Sequence, residues 1–231
     1  MFRLMSMGLH GAGASFGKVM AYTLRGLPKL FSYLDDLLRH ARSHSEMLEA
    51  LDSILSRLNQ YGFKISLAKA RLGFDRVNYL GHEISALGVR PSEENVKALK
   101  QIKPPKTLKE LRSFLGMANF FRAYINSYAL LAGKLSQLTK KDSTWRGGRL
   151  PLSALNAFHR IRNAIGSRPT LCYPRLDREF ELHCDAALGS DASPGGVGCV
   201  LVQRDAAGNP FPVSFASRGL KVHERNYSST T

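Results

Sequence analysis

The chain has 231 residues, of which 44% are hydrophobic, and its mean hydropathy is −0.18. These values are typical of a soluble globular chain long enough for one large domain or two small ones. No stretch approaches the roughly 18 apolar residues of a membrane span. Residues 1–13 also lack the charged start and continuous apolar core of a signal peptide. The composition therefore excludes a membrane protein and favours an intracellular location.

The charge is strongly positive, with 33 Lys and Arg against 18 Asp and Glu and a net charge of +15. No acidic residue precedes Asp35, and between Leu111 and Leu176 only Asp142 is acidic. The same interval contains eleven basic residues, namely Arg112, Arg122, Lys134, Lys140, Lys141, Arg146, Arg149, Arg160, Arg162, Arg168 and Arg175. Because phosphates attract cations and interleaved aromatic rings can pack on bases or sugars, this segment favours a nucleic-acid partner over a passive solubilising surface.

Three cysteines, Cys172, Cys184 and Cys199, have no metal-ligand spacing and are odd in number. A disulfide framework normally uses an even set in a small secreted domain. The pattern therefore predicts buried, reduced thiols.

The first part of the chain alternates helical and extended patterns. A glycine-rich start leads into a predicted helix at residues 15–24, and an apolar run at 30–38 predicts a buried hairpin with Asp35 and Asp36 near its turn. An amphipathic pattern predicts a helix at 46–61, followed by short strands at 63–66, 71–74 and 77–84. Such alternation is typical of an α+β domain.

From Ser92 the pattern becomes helical. Ser92 is a predicted helix cap, Pro104 and Pro105 break that helix, and Thr107 with Glu110 forms a capping box for the next. Further helices are predicted at residues 129–138 and 153–165, joined by a basic linker at 139–152. Strands are then predicted at 180–185, 196–203 and 213–217.

The segment Tyr33-Leu34-Asp35-Asp36 places two adjacent carboxylates inside an apolar run. Such carboxylates ionise at a cost unless a counter-charge is present, and a divalent metal supplies one. Two carboxylates at a hairpin tip, joined by a third from elsewhere, can hold two Mg²⁺ ions about 3.5–4 Å apart for phosphoryl transfer. The alternative is an ordinary Asp-Asp turn, but the flanking apolar residues favour a metal site.

Several segments together resemble the reverse transcriptases of gypsy-like LTR retrotransposon Pol polyproteins. The Tyr33 to Asp36 segment resembles the family signature Tyr-x-Asp-Asp, and residues 8–16 resemble F-G-L-x-N-A-P-A-T-F-Q before it. Residues 79–85 are similar to the F-L-G-H-x-I-S hairpin, the primer grip, and residues 88–91 and 104–116 match the thumb segment. The resemblance extends over almost the whole chain.

The resemblance implies RNA-directed DNA synthesis, with Asp35 and Asp36 as polymerase ligands for Mg²⁺, and with Mn²⁺ as an alternative. The implied partners are an RNA or DNA template–primer, an RNA–DNA hybrid, deoxynucleoside triphosphates and the rest of the Pol polyprotein, in a cytoplasmic particle or the nucleus. Residues implied to contact nucleic acid are Tyr33, Leu80, Gly81, His82, Lys106, Lys109, Arg112 and Arg122.

The end of the chain resembles the start of ribonuclease H, in which an Asp after a strand is one of four carboxylates around two Mg²⁺ ions. Asp191 has the short spacing to residues 196–198 that is usual in retrotransposon enzymes, whereas Asp185 directly follows the apolar strand. Because a strand fixes a carboxylate better than a loop does, Asp185 is the preferred catalytic and metal ligand.

The predicted architecture is α+β, with a partial palm at residues 1–90, a helical thumb and connection at 91–175, and a partial ribonuclease H fold at 176–231. The family carries a further polymerase Asp upstream of the matched segment, and its next ribonuclease H Glu would fall at Thr231. We therefore expect the chain alone to be inactive. The alternatives are a non-catalytic nucleic-acid-binding remnant and a polypeptide that does not fold stably.

Overall fold

The computed structural model describes residues 8–187, 195–221 and 223–226. The chain divides into two units, Met1–Tyr79 and Leu80–Thr231. Helices and antiparallel sheets occur together, which confirms the predicted α+β class. None of the helices in the described residues is both long and apolar enough to cross a bilayer.

Within residues 8–79 the first unit has five regular elements, in chain order α1 (Ala12–Thr23), β1 (Leu30–Tyr33), β2 (Asp36–Arg39), α2 (His44–Gln60) and β3 (Arg76–Tyr79). The α2 helix begins where the Ser43 hydroxyl accepts a hydrogen bond from the Glu46 amide at 3.1 Å. The two helices bury one apolar cluster between them, made of Met20, Leu24, Ile54 and Leu58. Both predicted helices are therefore confirmed, with ends shifted by one to three residues.

Two predictions for this unit are wrong. Residues 63–66 and 71–74 form no strand, because neither segment has a paired neighbour among the described residues. The hairpin is also less buried than predicted, since Phe31 and Tyr33 are 59% and 56% exposed. In the β1–β2 hairpin only one face, with Leu30 and Leu37, packs against the helical core. Alternation along a strand leaves the other face in solvent.

In its described residues the second unit begins with an antiparallel hairpin and continues with four α-helices and three strands. The bounds are β4 (His82–Ser85), β5 (Gly88–Pro91), α3 (Glu93–Gln101), α4 (Leu108–Phe120), α5 (Tyr128–Gln137), α6 (Leu152–Gly166), β6 (Glu181–Ala187), β7 (Gly196–Arg204) and β8 (Pro210–Gly219). Short 3-10 turns occupy Arg122–Tyr124 and His223–Asn226. The predicted helices and strands of this part are confirmed, except that the strand predicted at 77–84 is two strands, β3 and β4.

The helices of the second unit share the main core. Capping is as predicted, because the Thr107 hydroxyl accepts from the Glu110 amide at 3.2 Å and Glu110 accepts from the Lys106 amide at 2.7 Å. The α4 and α6 helices meet at Phe114 and Phe158, whose ring centroids are 4.6 Å apart. Buried aromatic contact of this kind stabilises the pairing beyond its area alone.

The antiparallel sheet β6–β7–β8 packs on the start of α5. The Ser217 hydroxyl accepts a hydrogen bond from the Ala129 amide at 2.9 Å, which satisfies one of the free donors of the helix start. A Cβ on Gly198 would lie 2.8 Å from the Ser127 hydroxyl oxygen, so the absence of a side chain at this position allows the close approach. This contact fixes which face of the sheet lies towards the helices.

The prediction of buried thiols is wrong. Cys184 is exposed, and Cys172 and Cys199 are half-buried. All three are free. Cys184 is exposed like its neighbours in β6, and its side chain lies on the sheet face opposite the one that Ser127 approaches.

Candidate metal site and nucleic-acid interface

Asp35 and Asp36 lie at the tip of the β1–β2 hairpin. Tyr33 and Asp36 are the last paired residues, so Leu34 and Asp35 form a two-residue turn. Leu34 has a φ of 52°, in the left-handed region, which costs a non-glycine residue about 1–2 kcal/mol. Both carboxylates are exposed, and neither forms an ion pair within the described part of the chain. The turn therefore presents two unpaired carboxylates side by side.

Tyr79, at the end of β3, interacts electrostatically with Asp36 at the hairpin tip. Burial raises the pKa of the Tyr79 hydroxyl, and the negative charge of Asp36 raises it further. This electrostatic effect operates only over short distances at ordinary salt concentration. Asp36 therefore lies close enough to Tyr79 for the two groups to interact electrostatically.

The donor chemistry of the tip suits a hard divalent cation, since carboxylate oxygens are the ligands that Mg²⁺ prefers in proteins. In residues 8–187, 195–221 and 223–226, no group of three or more His, Cys, Asp or Glu side chains is arranged to hold a metal ion. Asp35 and Asp36 supply carboxylate oxygens of the kind that such an ion takes.

The turn between β3 and β4 consists of Leu80 and Gly81, both with positive φ, 49° and 78°. Two such residues form the tight turn that matches the twist of a hairpin. The Gly81 carbonyl accepts hydrogen bonds from the Ser92 amide at 3.1 Å and from Asn95 Nδ2 at 3.0 Å. The start of α3 therefore holds this predicted nucleic-acid contact in place.

His82 lies in an aromatic cluster rather than on an open surface. Its ring stacks on Phe120 and Tyr124, with centroids 5.0 and 5.7 Å away, and Phe121 meets it edge-on at 5.9 Å. A hydrogen bond of 2.9 Å joins His82 Nδ1 to the Tyr124 hydroxyl. Burial lowers the pKa of His82 and raises that of Tyr124 to about 12, so both are neutral at neutral pH. The cluster ties the turn to the end of α4.

The exposed side of α4 carries the predicted basic contacts. Lys109 and Arg112 are one turn apart and both exposed, and small residues, Ser113 and Gly116, follow on the same side. Phe120 ends this stripe with 53% of its surface exposed while also contacting His82. Lys106 lies just before the helix, and Arg122 lies in the 3-10 turn after it, both exposed. The turn and the last residue of α4 thus meet at Phe120.

Asp185 lies within β6, directly opposite Gly198 of β7. The residue is exposed, and it shares the sheet face on which Ser127 approaches Gly198. Asp191, the competing candidate, lies outside the described residues. The preference for Asp185 remains a prediction.

Two family models match the chain. The model described as reverse transcriptase (RNA-dependent DNA polymerase) matches residues 1–84, and the model described as an RNase H-like domain found in reverse transcriptase matches residues 153–231. The Pol polyprotein of transposon 297 from Drosophila melanogaster is 32% identical over 97% of this chain and 20% of its own length. The Pol polyprotein of transposon gypsy, from the same organism, is 29% identical over 99% and 22%.

The chain belongs to the retrotransposon Pol family. It spans about a fifth or less of the length of the polyproteins it matches. Both matched domain families depend on divalent metal ions. This Pol segment also has the fold of a solved structure, that of the foamy viral protease-reverse transcriptase in complex with an RNA/DNA hybrid. The TM-score is 0.78 at 21% identity, covering 98% of this chain and 30% of the viral one.

Sequence reasoning missed the residues that support this Pol segment's Leu80–Gly81 turn and the following hairpin. Asn95 holds the Gly81 carbonyl, and Glu83 pairs with Arg90 and Arg168. An Asn in the first turn of a predicted helix was the available signal for Asn95, because such residues often bond to backbone groups. No local pattern links Glu83 to Arg168, since the pairing depends on how the chain folds back.

Proposed function

We propose that this chain contributes the primer-end metal ligands and the template–primer grip of an RNA-directed DNA polymerase with ribonuclease H. The observation that carries the proposal is the pair of exposed, unpaired carboxylates, Asp35 and Asp36, on a tight hairpin turn. A strained turn between paired strands holds both carboxyl groups at one edge of the unit. The segment signature and the family membership support the same role.

Asp35 and Asp36 would hold Mg²⁺, with Mn²⁺ as an alternative, together with a third carboxylate that does not belong to the hairpin tip. When bound, the metal would stabilise negative charge on the reacting phosphates of a deoxynucleoside triphosphate and on the attacking primer oxygen. The chain itself supplies the orientation of the two carboxylates. Tyr33, exposed beside them at the end of β1, adds an aromatic surface for a base or sugar.

The exposed side of α4 would bind the template–primer. Lys109 and Arg112 supply positive charge for phosphates, and Ser113 and Gly116 leave the helix backbone close to the surface. An RNA–DNA hybrid has a broad, shallow minor groove into which a helix with small residues can settle. Phe120 links this surface to the Leu80–Gly81 turn, so helix and turn would engage one duplex together.

Asp185 would hold Mg²⁺ at the hydrolytic site. Its side chain is exposed on a paired strand, which fixes the carboxylate in position while leaving it accessible to an ion. Remaining ligands would come from residues outside the described set. The rest of the Pol polyprotein is the expected partner for both reactions.

Hybrid binding is tested by measuring the affinity of the full chain for an RNA–DNA hybrid across a range of salt concentrations. Lys109→Ala is expected to weaken binding and to reduce the slope of log K against log salt by about 1. Lys97→Ala is the matched control. Lys97 is also an exposed helical lysine, but it lies on α3, where it pairs with Glu93. Equal effects of the two substitutions would show that only net charge matters and would contradict the proposed surface.

Metal binding is tested separately, by adding Mn²⁺ and observing the paramagnetic broadening of backbone amide signals. We expect the signals of residues 33–37 to broaden first and Asp36→Asn to abolish the effect, while Asp52→Asn, in the exposed part of α2, leaves it unchanged. Broadening spread evenly over all exposed carboxylates would contradict a site at the hairpin tip.

The second candidate is a nucleic-acid-binding chain without turnover. The observation that favours it is that no complete metal-ligand cluster occurs within the described residues. Hybrid binding with a steep salt dependence but no primer extension in Mg²⁺ would support this candidate over the polymerase.

A further inference from the structure

Cys184 in β6 and Cys199 in β7 are directly opposite each other in the antiparallel pair. Residues opposed in this way have Cα atoms about 4.5–5.5 Å apart, within the range that disulfides span. Their side chains also emerge on the same face of the sheet, because opposite residues of an antiparallel pair share a face. Both sulfurs are free thiols in this structure.

The shared face of the two cysteines points away from α5. The neighbouring pair, Asp185 and Gly198, lies on the other face, where Ser127 approaches Gly198. Cys184 is exposed and Cys199 is half-buried. A small oxidant can therefore reach Cys184, while Cys199 lies beside it as a second thiol.

We propose that Cys184 and Cys199 form a reversible disulfide across β6 and β7 in response to peroxide. The Cys184 thiolate attacks one peroxide oxygen and the O–O bond breaks, giving a sulfenic acid and, after proton transfer, one water. The Cys199 thiolate then attacks the sulfenic sulfur, which forms the S–S bond and releases a second water. Two thiols are oxidised by two electrons, and one hydrogen peroxide is reduced to two waters.

The third cysteine cannot take part in this bond. The Cys172 amide donates to the Pro212 carbonyl in β8, and Pro212 lies opposite Val202 of β7. Val202 is three residues along the strand from Cys199, or roughly 10 Å. Because a disulfide requires Cα atoms closer than about 7 Å, Cys172 serves as an internal control.

The crosslink would immobilise the strand that carries Asp185. The β6 strand has β7 as its single partner within the described ranges, and its residues 182–186 are exposed, so backbone pairing holds it in place. A bond between Cys184 and Cys199 closes the chain between them into a loop, and it excludes conformations in which β6 has separated from β7.

The bond is detected by mass spectrometry of the full chain after mild treatment with hydrogen peroxide. Trypsin leaves both cysteines in one peptide, residues 179–204, because no Lys or Arg lies between them, whereas Cys172 falls in a separate peptide. We expect the 179–204 peptide to lose the mass of two hydrogen atoms, and to regain it with a reductant. Cleavage of this peptide before aspartate should then yield residues 179–184 and 191–204 still joined, until the reductant separates them.

Hydrogen exchange gives the second measurement. Oxidation is expected to slow exchange of the β6 amides by up to about a hundredfold, the effect predicted for closing a loop of this length. Cys199→Ser should abolish the slowing, and Cys172→Ser should retain it. A peroxide product with Cys184 in sulfinic form, linked to Cys172, or linked to a second chain would overturn the proposal. An unchanged peptide mass under conditions that oxidise an exposed model thiol would also overturn it.

Discussion

The carboxylate of Glu83 in β4 accepts a hydrogen bond from Arg168 Nη2 at 2.7 Å, although the two residues are 85 positions apart. The other Glu83 oxygen accepts from Arg90 Nε and Nη2, at 2.8 and 2.6 Å. Arg168 adopts a left-handed φ of 52° just after α6. The same region adds two backbone hydrogen bonds of 2.9 Å between Val89 and Leu171. The β4–β5 hairpin is thus attached to the segment that follows α6 by ion pairs and by backbone hydrogen bonds.

This attachment predicts an acid-sensitive contribution to stability. Burial raises the pKa of Glu83, but hydrogen bonds and charges from Arg90 and Arg168 outweigh it, so the pKa is lowered below its usual value. A lowered pKa stabilises the folded state above the unfolded pKa of about 4.3, and this contribution disappears as pH falls through the folded pKa. Glu83→Gln is expected to cost about 2 kcal/mol at pH 7. The difference from wild type should shrink in acid.

Urea unfolding at several pH values, followed by the fluorescence of the single, buried Trp145, measures this effect. Glu94→Gln is the control, because Glu94 is exposed and forms no ion pair within the described residues, so its replacement should change little. A Glu83→Gln penalty that stays constant down to pH 3 would refute the electrostatic explanation.

Two glycines of the second unit should respond oppositely to alanine. A Cβ on Gly88 would lie 2.2 Å from the Leu171 carbonyl oxygen, and its φ is 134°, so Gly88→Ala is expected to cost at least about 2 kcal/mol. Apart from the backbone of α4 itself, no heavy atom of the described residues lies within 4 Å of a Cβ on Gly116, so Gly116→Ala should stabilise by about 1 kcal/mol. Thermal unfolding of the two variants beside wild type measures both changes.

Gly116→Ala also separates stability from binding. The added methyl group lies on the proposed template–primer surface, so we expect weaker hybrid binding by a more stable protein. Unchanged hybrid affinity would place the duplex on another surface.

Gln203 in β7 supports the segment that leads into β6. Its side chain is fully buried; Oε1 accepts from the Arg175 amide and Nε2 donates to the Arg175 carbonyl, both at 2.8 Å. Nε2 also donates to the Arg178 and Glu179 carbonyls at 3.3 and 3.4 Å, so Gln203→Leu would remove every one of these bonds and is expected to cost about 3 kcal/mol. Gln101→Leu, at an exposed helix end, should stay within about 0.5 kcal/mol. Comparable losses for the two variants, from urea unfolding, would rule out a special role for Gln203.

Local signals explain why many predictions succeeded. The helices that begin after Ser43, Ser92 and Thr107 are capped by the side chains of these residues. Asp35 and Asp36 were predicted near a hairpin turn, and the pairing of β1 with β2 places them there. These features depend on residues within four positions of one another. The strands predicted at 63–66 and 71–74 failed because a strand also needs a partner, which no local pattern supplies.

The amino-acid sequence by itself determined the helices, the hairpin tip with its two carboxylates and the basic character of the α4 surface, because each follows from neighbouring residues. Only the tertiary structure decided that His82 stacks beneath Phe120 and that Glu83 meets Arg168. It also decided that Cys184 faces Cys199. These contacts join segments distant in the chain, and their geometry is set by packing of the whole unit, through strand register and helix position, rather than by local preference.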